Sequence, residues 1–82
     1  SNRVNYLSHF DTNPNVCAGE IVIRGTRVTL RTLLASLAEG ATFDEILADF
    51  PTVSAGDLQA VIAFAAASAE EDLPIPPIPK VA

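Results

Sequence analysis

Thr42-Phe43-Asp44-Glu45-Ile46-Leu47-Ala48-Asp49-Phe50-Pro51-Thr52-Val53-Ser54-Ala55-Gly56-Asp57-Leu58 is the stretch that decides the fold, because it holds two helix starts and one helix stop. Thr42 and Glu45 form a capping box, each side chain taking up a free amide of the other residue. Phe43, Ile46, Leu47 and Phe50 then recur on one helical face. Pro51 ends that helix, since it disfavours helical backbone in the residue before it and has no N–H to donate. Ser54, with Asp57 three residues on, caps another helix, whose apolar stripe runs through Leu58, Val61, Ile62 and Ala65 to about Ala69. Two helices separated by Pro51-Thr52-Val53 have the dimensions of a helix-turn-helix.

Upstream, Leu30, Leu33, Leu34 and Leu37 mark an earlier helix, with Thr29 as its N-cap and Gly40 as its stop. Ile21-Val22-Ile23 is a β-branched run and reads as a short strand, followed by a turn at Arg24-Gly25-Thr26-Arg27. Val4 to Phe10 alternates and is expected to form another strand; Asp11 to Asn15 reads as a turn. Downstream, Glu70-Glu71-Asp72 leads into four prolines within Pro74 to Pro79, a spacing that forbids helix and central strand and predicts an extended tail. The expected architecture is mainly α. Strands and the Arg-Gly-Thr-Arg turn occupy 1–28, a three-helix unit 29–70 and the Pro-rich tail 71–82, the first two forming one domain.

With 82 residues, 49% of them hydrophobic and 18% charged, the chain is one small folded domain and is not a disordered segment. A domain of this size buries only about 60 to 65% of the surface its unfolded chain exposes, so association with other chains is expected. One Cys excludes a disulfide scaffold and a multi-Cys metal site, and points to a reducing, cytoplasmic setting. No apolar run approaches the roughly 18 residues of a membrane span, and Ser1-Asn2-Arg3 lacks a signal-peptide core. Ser1-Asn2 reads as the remnant of a cleaved expression tag.

Catalytic groups are sparse. His9 has no second His or Cys at ligand spacing, Cys17 stands alone in a turn-rich stretch, and Asp44 and Glu45 fall in a first helical turn, where free amides favour acids. No phosphate loop, dinucleotide fingerprint or zinc pattern occurs. The chain is therefore expected to be no enzyme, with no cofactor, metal or small-molecule substrate. Its net charge of −5 weighs against general nucleic-acid coating. Yet Arg24, Arg27 and Arg31 lie close together and could hold backbone phosphates, Glu20, Glu39 or a partner's carboxylates. Of the residues that open the last helix, Ser54 to Gln59, none is basic, and Gln59 alone has the donors and acceptors for a bidentate adenine contact.

The second face of that helix is also apolar. Ala60, Ala63, Phe64 and Ala67 are candidates for an oligomer interface, because a helix apolar nearly all round is buried. The alternative is that the N-terminal strands cover this face and Ala supplies helix propensity. In the tail, Leu73, Ile75 and Ile78 are candidates for docking into a groove on a partner; the other reading is a C-terminus without a role.

The segment Ile23-Arg24-Gly25-Thr26-Arg27-Val28, then Leu37-Ala38-Glu39-Gly40, Glu45-Ile46-Leu47-Ala48-Asp49-Phe50-Pro51 and Asp57 to Ala65, resembles the domain-of-unknown-function family 433 over roughly Pro14 to Ala69. The resemblance implies short N-terminal strands on a homeodomain-like three-helix unit, commonly dimeric. It implies a VapB-type antitoxin role, in which the protein neutralises a PIN-like ribonuclease toxin by direct contact, often through a C-terminal extension, and represses its own operon. Ala18, Glu20 and Ile21 depart from the family's tendency toward Gly, a basic residue and Pro; Phe50 and Phe64 stand where Tyr is common. Three functions follow in order: an antitoxin-like partner of a ribonuclease, a DNA-binding autorepressor on its operator, and an oligomeric interaction module with neither role.

Overall fold

The computed structural model describes residues 5–71. Within them lie three helices and a short two-stranded antiparallel sheet near the N-terminus, and the other two helices pack against the last helix. The strands are β1 (Phe10–Asp11) and β2 (Val22–Ile23), with Phe10 opposite Ile23 and Asp11 opposite Val22. The helices are α1 (Leu30–Ala38), α2 (Phe43–Asp49) and α3 (Ala55–Glu71). The tail candidates Leu73, Ile75 and Ile78 lie outside the described residues.

Each helix begins and ends for a local reason. The Thr29 hydroxyl accepts from the Thr32 amide at 3.1 Å and starts α1. At the other end the Gly40 amide donates to Leu37 O and the Ala41 amide to Ser36 O, at 3.0 and 3.1 Å. This is the Schellman pattern, and it needs a left-handed residue, which Gly40 supplies at φ +92°. Gly40→Ala is therefore expected to destabilise by about 1 kcal/mol or slightly more, although a Cβ there would touch nothing within 4 Å. A urea titration of both proteins checks this. The capping box of α2 is present in both directions, with Thr42 N to Glu45 Oε1 at 2.8 Å and Glu45 N to Thr42 Oγ1 at 3.1 Å. A second box starts α3, with Ser54 N to Asp57 Oδ2 at 2.9 Å and Asp57 N to Ser54 Oγ at 3.0 Å.

Two expectations change. Residues before Phe10 form a 3₁₀ turn, Tyr6–His9, and not a strand. The cause is local: both the amide and the hydroxyl of Ser8 donate to Asn5 O, at 3.0 and 2.8 Å, and this curls the backbone before it can pair. The strand is left with two residues.

The second change is on α3. Its buried residues are Leu58, Ala60 and Val61, whereas Ile62, expected in the core stripe, is 40% exposed. Phe64 is half-buried, with its ring edge-on to Phe10 and Tyr6 at centroid distances of 5.5 and 6.3 Å. The 3₁₀ turn lies across the helix and rotates its buried face toward Phe64. The rest of the core comes from Phe10, Ile23, Leu30, Leu33, Ile46 and Val53. Leu34, Leu37, Phe43, Leu47 and Phe50 pack around it.

Candidate functional site

Two surfaces carry the residues singled out in the sequence. The first is the turn after β2. Ile23 N donates to Val28 O at 2.9 Å and Thr26 N to Ile23 O at 3.0 Å, closing the loop over Gly25 at φ +79°. Thr26 braces it from inside, its hydroxyl donating to Ile23 O and accepting from Val28 N, at 2.8 and 3.0 Å. Arg24 and Arg27 project from this rigid turn and are exposed. Arg24 Nη2 donates to Phe10 O at 3.3 Å.

Arg31 is tied to a side chain. It stands at the start of α1 and holds Glu20 through two bonds, Nη2 to Oε2 at 2.8 Å and Nε to Oε1 at 3.2 Å. That two-pronged bond and the charge of Glu20 raise the guanidinium pKa above its ordinary value. Of the alternatives left open for the three arginines, pairing with Glu20 is the one Arg31 adopts. Beside Glu20 the chain passes through Cys17, Ala18 and Gly19 at φ +50°, +55° and +80°, a left-handed run in which two residues carry a Cβ. Cys17 is a free thiol whose Sγ lies 3.4 Å from Arg27 O.

The second surface is the leading half of α3. His9 Nδ1 lies 2.8 Å from Asp57 Oδ1 and fastens the 3₁₀ turn to the helix start. Burial pushes the Asp57 carboxyl up, but the bonds from His9 and Ser54 outweigh it and hold the group below its usual range. An ionised carboxylate only accepts, so Nδ1 carries the proton of this bond. Sequence reading assigned His9 no partner and Asp57 only a cap. Beyond the clasp, a groove of about 460 Å³ runs along α3 from Gly56 to Glu70, with Tyr6 and His9 as one wall and Ala63, Ala66 and Ala67 on the floor.

The interface candidates divide accordingly. Ala60 is 3% exposed and sits in the chain's own core, and Phe64 is partly covered by Tyr6 and Phe10. Ala63 and Ala67 face the groove, and Gln59 is exposed at its rim. Among the described residues, no three His, Cys, Asp or Glu side chains gather where a metal ion could be held, and no helix is long and apolar enough to cross a membrane.

A sequence profile of the family described as "Protein of unknown function (DUF433)" matches residues 11–65, well over half of the chain. The chain belongs to the DUF433 family. Among solved structures, the crystal structure of a DUF433 member protein from Anabaena variabilis ATCC 29413 is similar, at 34% identity and a TM-score of 0.68. The match covers 82% of this chain and 70% of that one. No functionally curated protein matches. The left-handed run lies inside the matched DUF433 region. Ala18 keeps a Cβ at φ +55°, a backbone position that Gly occupies without strain. Glu20, the residue after the run, has Arg31 as its partner.

Proposed function

We propose that this DUF433 chain is an antitoxin-like protein that binds and neutralises a PIN-like ribonuclease, with no catalysis of its own. The observation that carries the reading is the charge state of its two exposed surfaces. At the start of α3, where a DNA-reading helix would present donors, the ionisable group is Asp57, fixed by Ser54 and His9. Arg31 is paired with Glu20, which leaves Arg24 and Arg27, exposed and without a carboxylate partner among the described residues, on a turn braced by Thr26. Two exposed guanidiniums on one turn suit carboxylates, because each presents a planar fork of donors. A nuclease that holds metal through spaced acids offers such carboxylates. The sequence from Leu73 to Pro79 supplies apolar anchors at Leu73, Ile75 and Ile78 for a second contact. The homeodomain-like character of the helical unit, its dimerisation and its cytoplasmic location belong to the same reading.

Co-expression with a PIN-like ribonuclease encoded beside the gene tests it. The two proteins are expected to co-purify, and RNA cleavage to be suppressed. Replacing Arg24 and Arg27 together by Ala, or deleting Leu73–Ala82, is expected to weaken the complex at least about tenfold, or about 1.4 kcal/mol. Unchanged affinity after both changes would remove this reading.

The second reading is a DNA-binding autorepressor, favoured by the short α2–α3 connection and by the exposure of Ser54, Ala55 and Gln59 at the start of α3. With Arg31 already paired, a dimer would bring about four arginines to phosphates, giving a salt slope near −4 at roughly −0.9 per phosphate. A mobility-shift titration on the chain's own promoter measures that slope. No retardation at low salt removes the reading.

A further inference from the structure

We propose that the groove on α3 takes an amphipathic helix of another protein, one with small or apolar residues along its inner face and lysine or arginine on its flanks. Gly56, Ala60, Ala63, Ala67 and Glu70 line the groove at spacings of four, three, four and three residues. That alternation is the spacing at which one helix seats the side chains of another. The first four of these residues carry nothing larger than a methyl group, so a second helix axis can approach to about 8 Å, the close end of the usual range. Tyr6 packs on Phe64 and His9 on Asp57, which puts the wall on the flank of α3 that those two residues share. Gln59, Ile62 and Ala66 lie on the other flank and are exposed, which leaves that side open. From Gly56 to Glu70 the floor runs about 21 Å, the length of a helix of about 14 residues at about 1.5 Å per residue.

Charge selects the occupant. From Thr32 to Glu71 the sequence has Asp or Glu at seven positions and Lys, Arg or His at none. Glu70 stands in the groove itself, and among the described residues no base pairs with it. A docked helix therefore gains from bases on its flanks and loses from acids there. A second copy of this chain does not meet that demand. Its α3 would bring Asp57, Glu70 and Glu71 and no base, so pairing α3 with α3 sets carboxylates near carboxylates in either direction. A dimer of the chain then uses another face. The inference does not rest on the ribonuclease reading, which uses the arginine turn.

A synthetic stapled helix of about 14 residues serves as the probe, with alanine and leucine at the four-three positions and lysine on both flanks. A twin carries glutamate in place of lysine. Each is titrated into the isotope-labelled full chain, and amide shifts are read. The lysine helix is expected to move Gln59, Ala63, Ala66 and Ala67 to saturation, and the glutamate twin to move none of them. Ala66→Phe fills the groove from an exposed position and is expected to weaken binding at least about tenfold with circular dichroism unchanged. Glu70→Gln leaves the floor intact and is expected to weaken it about twofold to fivefold. Equal binding by the twin, or shifts centred on α2, would overturn the proposal, and so would full affinity in both variants. A dimer of the chain alone that Ala66→Phe dissolves in sedimentation would also overturn it, since that would put a second copy in the groove.

Discussion

Leu58→Ala is expected to destabilise the fold by about 3 to 5 kcal/mol, the range for a fully buried leucine whose surroundings cannot collapse. Leu58 is 0% exposed and belongs to the core cluster with Leu33, Ile46, Val53 and Val61. It lies in the first turns of α3, the helix against which α1, α2 and the N-terminal turn all pack, so a void there loosens several contacts together. For a domain of this size each kcal/mol lowers the midpoint by about 4 to 8 °C, so a fall of at least about 12 °C should be visible by circular dichroism. Ile62→Ala is the matched control. At 40% exposure Ile62 removes far less surface from water, and its loss should stay near 1 kcal/mol. Equal losses at the two positions would mean that α3 buries the other face.

Asp57→Ala is expected to cost about 2 to 3 kcal/mol at neutral pH, combining a lost helix cap with a lost bond to an ionised group. One carboxylate makes both contacts, Oδ2 with the Ser54 amide and Oδ1 with His9 Nδ1, and its side chain is 15% exposed. The pH dependence follows from the direction of its shift. Its folded pKa lies below the unfolded value of about 3.9, so the native state binds fewer protons there. The stabilisation is fully present above the unfolded pKa and is lost as the pH falls through the folded value. Asp57→Asn, which keeps the shape, should therefore differ most from the parent near neutral pH, with the difference shrinking below about pH 4. Glu45, lowered by its bonds with Thr42, adds to the parent's acid sensitivity with the same sign in both proteins. Urea midpoints at pH 7 and pH 3 measure the difference. A gap that is the same at both values would show that ionised Asp57 adds no stability.

The three helices were legible because their signals are local. Thr29, Thr42 and Ser54 cap within three residues, Gly40 and Pro51 stop within two, and the leucine and isoleucine spacing marks the buried sides. The two-strand pairing was partly legible, since Val22 and Ile23 are β-branched but Phe10 pairs with Ile23 through a turn and a left-handed run. Tyr6–His9 was misread because alternation of side chains carries no information on where the Ser8 hydroxyl donates. The clasp between His9 and Asp57 joins residues 48 apart in sequence, a separation at which neither residue type signals the other. The same turn explains the misplacement of Ile62 and the covered edge of Phe64. A stripe on an isolated helix does not show which neighbour will lie across it. Arg31 and Glu20 were legible as one pair among several, and the backbone of α1 made the choice.

A single aspartate holds both a neighbouring ring, through Oδ1, and the opening amide of α3, through Oδ2. Loss of that one carboxyl group therefore releases the 3₁₀ turn and the first turn of α3 together, whereas loss of the His9 ring leaves the Ser54 bonds in place.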